Sequence, residues 1–197
     1  MREILIAVRM TVVTLVLTGL VHPFVVTGVA QAVFPARAGG SLVTDAAGHV
    51  VGSALIAQAF TSPRYFQPRP SAAGNGYDAT SSGGSNLGPT SQKLRDRIVA
   101  DVQRLQKDNP EAAGPVPAEL VTASASGLDP HLSPEAALWQ VPRVARARGR
   151  SPAEVKSLVD AAVEGRTFGL LGEPTVNVLR LNLALDRQVG PAPTGRR

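Results

Sequence analysis

From Met10 to Val33 the chain carries 24 residues without a formally charged side chain, His22 taken as neutral. A helix of that length reaches about 36 Å, enough to cross a hydrocarbon core of about 30 Å. Val, Leu and Phe supply 12 of these residues, and His22, Pro23, Gln31 and four threonines oppose them. Residues 1–35 therefore read as a short cytoplasmic N-terminus and a transmembrane anchor. A cleaved signal peptide is the competing reading, because Arg2 and Arg9 form a basic leader and Ala30-Gln31-Ala32 matches an A-x-A cleavage site. The apolar run resumes in Phe24-Val25-Val26, where a signal peptide would turn polar, and this favours a retained helix. With either reading, Arg2 and Arg9 predict an exported C-terminal part. Pro23 predicts a kink. Gly19 and the threonines suit close helix–helix contact in a bilayer.

Beyond the anchor, the pattern alternates between strand and helix periods. Ser41–Gly52 predicts a β-hairpin with a four-residue turn at Asp45-Ala-Ala-Gly48. Leu55–Phe60 is apolar without a clear period. Thr61–Ser91 is rich in Gly, Ser, Pro and Asn, but the Tyr65-Phe66 pair between Arg64 and Arg69 is unlike a linker, and order is expected. Pro89–Asn109 predicts a helix with Leu94, Ile98, Val102 and Leu105 on one stripe. Leu120–Ser124 reads as a buried strand. Ser133-Pro134 and the capping box Ser151-Pro-Ala-Glu154 open two more helices, the second with Val155, Leu158, Val159 and Ala162 inward. Val176–Leu185 fits strand by alternation and helix by the Leu181/Leu185 spacing, and helix is preferred. The fold class is thus α+β: one N-terminal transmembrane helix, one mixed α/β extracytoplasmic domain over residues 36–188, and a frayed polar tail over 189–197.

Composition narrows the chemistry. Cysteine is absent, which excludes disulfides, thiolate metal sites and a Cys nucleophile. The three histidines, at 22, 49 and 131, have no HExxH or HxH spacing, so a histidine-rich metal centre is not expected. Of the 20 basic residues 17 are Arg, giving a net charge of +5 that could suggest nucleic acid. The densest cluster, Arg143, Arg146, Arg148 and Arg150, has one aromatic nearby, Trp139, and lies in an exported region. Solvated or partner-facing arginines at a helix C-terminus are expected, and no nucleic-acid partner.

Two constellations remain to be weighed. Gly83–Gly88 has the four-residue gap of a phosphate-binding Walker loop, but Pro89 stands where the lysine must be, so a structural turn is expected. Ser124, Ser126, Asp129 and His131 group hydroxyls, a carboxylate and an imidazole, without a G-x-S-x-G elbow. A membrane-anchored exported hydrolase using Ser124 or Ser126 with His131 is kept as an alternative, as is a ligand-binding module built on the Tyr65/Phe66 loop.

Six segments occur in an order that resembles a known family. They are Gly52-Ser-Ala-Leu-Ile-Ala-Gln58, Tyr65-Phe66 with Arg69-Pro70-Ser71, and Ser82-Gly83-Gly84-Ser85-Asn86-Leu87. Val121-Thr-Ala-Ser-Ala-Ser126-Gly-Leu-Asp129-Pro130, Gln140 with Arg143-Val144-Ala145, and Gly172-Glu-Pro174 leading to Val176-Asn177-Val178 complete the set. Together they resemble the KdpC family, the C subunit of the bacterial potassium-transporting Kdp ATPase, from about Met10 to Asp186. The resemblance implies a non-catalytic, single-pass subunit of the bacterial inner membrane. It also implies membrane lipid around the helix, and assembly with a channel-like potassium-translocating subunit and a P-type ATPase subunit. No tightly bound cofactor is implied. A catalytic-chaperone role raising the ATP affinity of the ATPase subunit is described for the family, and Gln140 matches the glutamine proposed to contact nucleotide. Tyr65, Phe66, Arg69, Gly83, Gly84, Ser85, Asn86, Ser126, Asp129 and Asn177 are expected to be structural or partner-contact positions. The domain is expected to cap the potassium entrance, stabilising or restricting it, since net-positive arginines would not recruit K⁺.

Overall fold

A computed structural model describes residues 1–45 and 47–189. The chain divides into two compact units, the first Met1–Val43 and the second beginning at Thr44.

The first unit is dominated by one apolar helical run, Arg2–Val33, with a mean hydropathy of 2.3 in its most apolar window, long enough to cross a membrane. It consists of α1 (Arg2–Val16), a π-helical turn over Leu17–Val21, and α2 (His22–Val33), followed by the short α3 (Pro35–Ala38). The π turn is the local answer to Pro23, which has no N–H and whose ring would meet the carbonyl four residues back. In it the His22 N–H reaches back five residues to the Leu17 carbonyl. Thr11 and Thr18 satisfy their hydroxyls by donating to the Ala7 and Thr14 carbonyls, at 2.9 and 2.8 Å.

β1 (Leu42–Thr44), whose last residue opens the second unit, and β2 (Val50–Ser53) form the expected hairpin. The Asp45 carboxylate shapes its turn by accepting from the Ala47 and His49 N–H groups, at 2.9 and 3.0 Å. Gly48 adopts φ +84°, where a side chain would be strained.

The segment 54–91 contains no regular element yet is anchored at several points, with Phe66 and Ala73 fully buried. Helix α4 (Gln92–Asp108) begins where the Ser91 hydroxyl accepts from the Leu94 N–H, three residues after the expected Pro89. Its Leu105 is buried, and Ile98 and Val102 pack against the core.

Leu120–Ser124 is not a strand. Ala118–Leu120 forms a 3₁₀ turn, with the Leu120 and Val121 N–H groups donating to the Pro117 and Ala118 carbonyls. Leu120 and Val121 are buried as expected, but the chain turns after Pro117 rather than extending.

β3 (His131–Leu132) leads into α5 (Pro134–Arg148), capped by Ser133 and ended by Gly149 at φ +64°. The capping box at Ser151 and Glu154 opens α6 (Pro152–Ala161), which buries Val155, Leu158 and Val159. β4 (Val163–Glu164) follows. Both readings of Val176–Leu185 hold in part: Thr175–Asn177 is β5, and Val178–Val189 is α7.

The three short strands form an antiparallel sheet in the order β3-β5-β4, with Leu132 and Val163 both opposite Val176. α5 and α7 pack on this sheet and α6 packs on α5 and α7, with Leu132, Val144, Val155, Val176, Leu181 and Leu185 at the centre of the core. Residues 190–197, most of the expected tail, lie outside the described residues.

Candidate functional site

The densest buried polar network surrounds the loop Pro63–Gln67. Two side-chain amides treat this loop as a strand. Asn182, on α7, accepts from the Phe66 N–H and donates to the Phe66 carbonyl, both at 2.9 Å. Gln140, on α5, does the same for Gln67, at 2.9 and 3.0 Å. Between them the Phe66 ring enters the core and is fully buried. Each amide thereby replaces the backbone partner that a neighbouring strand would supply.

Two arginines complete the clamp. Arg143 donates to the Pro63 carbonyl at 2.7 Å, to the Tyr65 carbonyl at 3.0 Å and to Gln140 Oε1 at 2.7 Å. Burial pushes its guanidinium down to about 10, leaving it protonated at neutral pH. Arg148 donates to the Arg64 carbonyl and to Asp186, both at 2.8 Å, and its guanidinium lies 4.9 Å over the Tyr65 ring. The Tyr65 hydroxyl donates to the same carboxylate at 2.8 Å. Burial, and then the hydrogen bond to Asp186 and its charge, raise the Tyr65 phenol above its ordinary value.

This corrects the expectation for the arginine cluster. Arg146 and Arg150 are exposed, but Arg143 and Arg148 are buried, because one face of α5 meets loop carbonyls that need donors. Their signal in the sequence was spacing: Gln140, Arg143 and Val144 share one helical face.

Gln140 is 2% exposed and its amide is saturated. Oε1 accepts from Gln67 and Arg143, while Nε2 donates to Gln67 and, at 3.5 Å, to Ala136.

A second set of expected positions ties the glycine-rich segment to residues 124–129. The Gly83 N–H and the Ser82 hydroxyl both donate to the Ser126 carbonyl, at 2.9 and 3.0 Å. At Gly84 a Cβ would stand 2.9 Å from the Ala125 carbonyl oxygen. Ser85 is half-buried, and exposed Asn86 adopts φ +50°, a conformation Asn tolerates. Arg69 pairs with Asp129 at 3.0 Å, whose other oxygen accepts from the His131 N–H. Asn177 donates to the Ala54 carbonyl at 2.8 Å and accepts from the Arg180 N–H, which opens α7.

Asn182 and Asp186 were not singled out from the sequence, since a lone Asn in an apolar helix carries no motif. The Ser126 hydroxyl accepts from the Leu128 N–H and lies 3.5 Å from that of Ser124. Among the described residues no hydrogen bond links either hydroxyl to the His131 imidazole, which lies 3.8 Å from Asp129. No three His, Cys, Asp or Glu side chains among the described residues are placed to hold a metal.

The fold and this network define a protein with one membrane-length helix and an α+β domain in which buried Gln140, Arg143, Arg148 and Asn182 hold one of the domain's own loops. Residues 4–187 match the family model described as KdpC, the K⁺-transporting ATPase c chain. A protein of Myxococcus xanthus, the potassium-transporting ATPase KdpC subunit, is 67% identical over 189 residues, covering 96% of this chain and 90% of the relative. Proteins with the same description from Koribacter versatilis and Allorhizobium ampelinum are 55% and 58% identical, over 99% and 91% of this chain and 99% and 93% of their own lengths. The chain belongs to the KdpC family.

Proposed function

We propose that this chain is the accessory, non-catalytic subunit of an ATP-driven potassium uptake pump, needed for assembly of the complex. The observation that carries this reading is the family match across residues 4–187, which takes in nearly all of both the membrane-length helix and the domain. ATP hydrolysis belongs in this reading to a P-type ATPase subunit, and ion passage to a channel-like subunit. Arg2 and Arg9 support a cytoplasmic N-terminus and an extracytoplasmic domain in the inner membrane. Deleting the gene is expected to abolish co-purification of the other subunits and potassium-stimulated ATPase activity. Wild-type activity without this chain would overturn the reading.

For the family's effect on ATP affinity, the burial of Gln140 supports an indirect route, in which Gln140 positions the Pro63–Gln67 loop that partners meet. Gln140→Leu is expected to lower the melting temperature of the full chain in detergent with no nucleotide present. An unchanged melting temperature, with the effect on ATP affinity lost, would return Gln140 to nucleotide contact.

A further inference from the structure

The connection between β4 and β5 folds into a small hairpin whose tip is apolar and faces outward. Thr167 and Leu171 exchange backbone hydrogen bonds across it, at 2.8 and 3.0 Å. The Gly169 N–H donates to the Arg166 carbonyl at 2.9 Å, and the Leu170 N–H to the Thr167 carbonyl at 3.2 Å. Phe168 adopts φ +55°, a costly conformation for a bulky residue. This geometry exposes Phe168 by 89%, Leu170 by 79% and Leu171 by 64%. The other strongly exposed large apolar residues described in this unit, Val50, Leu55 and Val99, are well separated from the tip in sequence.

We propose that the Phe168–Leu171 tip inserts into the interfacial region of the lipid bilayer, as a second membrane contact of the chain. Four backbone N–H groups of the hairpin are already paired inside it, so moving it into an apolar phase leaves those donors satisfied. Behind the tip, Arg166 pairs with Glu173 and Arg180 with Glu164, a neutral charged belt suited to headgroup level. An aromatic and two leucines ahead of such a belt form the amphipathic arrangement of interfacial anchors. The segment 34–43 separating the helix from the second unit spans at most about 35 Å fully extended. A bilayer is therefore the apolar phase that the chain's own span brings within reach, and tethering strengthens a weak contact by effective concentration. The proposal rests on residues 2–33 spanning a membrane.

The chain has no cysteine, so Leu170→Cys provides a single thiol for a nitroxide label. The full-length chain is reconstituted into phosphatidylethanolamine/phosphatidylglycerol vesicles, floated, and probed by collision with oxygen and with a polar nickel complex. The label at position 170 is expected to meet oxygen several-fold more than nickel, with the reverse for a control label introduced by Val99→Cys. Adding Phe168→Ser and Leu171→Ser is expected to turn the label at 170 toward water. Floated chain whose label at 170 reads as aqueous as the control would overturn the tip contact while leaving the span intact. A label that is aqueous in vesicles and shielded only when pump subunits are added would overturn it in favour of a protein partner. Chain that fails to float would overturn the span and the tip contact together.

Discussion

At residue scale, the clamp on Pro63–Gln67 sets the largest single-site effects. Asn182 is 1% exposed and serves both backbone groups of Phe66. Asn182→Leu keeps the branched outline of the side chain, though with bulkier methyl groups, and leaves a buried N–H and a buried carbonyl without partners, each costing about 1–3 kcal/mol. A loss of about 2–6 kcal/mol in unfolding of the full chain in detergent is expected from urea titration. Tyr77 supplies a pH test. Its hydroxyl donates to the Arg69 carbonyl at 2.8 Å, and burial pushes its phenol up to about 12. The folded value lies above the unfolded value of about 10, so the stability it contributes is complete below about pH 10 and falls away as pH climbs toward 12. Thermal melts between pH 8 and 11.5 should show a shallower alkaline decline in Tyr77→Phe than in the wild type. Parallel declines would show that Tyr77 does not carry this dependence.

At the scale of elements, caps and one close approach decide how the pieces meet. The Ser133 hydroxyl accepts from the Ala136 N–H, while its N–H and hydroxyl donate to Glu119. Ser133→Ala is expected to cost about 1 kcal/mol, read from a denaturant midpoint shift at constant slope. Gly127 is less forgiving. It adopts φ +67°, and a Cβ there would lie 2.6 Å from the Ala73 nitrogen and 2.7 Å from the Gly83 oxygen, both backbone atoms. Gly127→Ala is expected to cost about 1–3 kcal/mol from backbone conformation alone, with the steric conflict added. Caps were legible because Ser-Pro and Ser-x-x-Glu act within one turn. The strand expected at Leu120–Ser124 failed because an apolar run reports burial and not conformation, and the 3₁₀ turn after Pro117 buries the same side chains.

For the whole molecule, the membrane helix and the domain pose separate questions. In the helix, a Cβ at Gly19 would meet only Leu15 Cδ2, at 3.8 Å, so the chain itself accommodates a larger side chain there. If the pump's other helices pack on this face, Gly19→Leu should reduce co-purification of partner subunits several-fold without lowering the chain's own abundance in the membrane. Undiminished co-purification would move the helix contact elsewhere. In the domain, the three-stranded sheet has only short strands, and its stability depends on helices α5 to α7 and on the clamped loop packing around Val176 and Phe66.

The sequence by itself determined whatever depends on neighbours a few positions apart. The membrane-length run, the hairpin turn at Asp45–Gly48, the stripe of α4 and the caps of α5 and α6 follow from local periodicity and local hydrogen bonding. The ordered motifs also marked the loop at Tyr65-Phe66 as more than a linker. Tertiary structure alone decided what satisfies that loop, because Gln140, Arg143, Arg148 and Asn182 reach its backbone across 73 to 116 residues of chain. It likewise split Val176–Leu185 into strand and helix, since Val176 must pair with Leu132 and Val163 before Asn177 can open α7. Buried backbone groups must find partners, and spacing along the chain does not say which distant side chain will provide them.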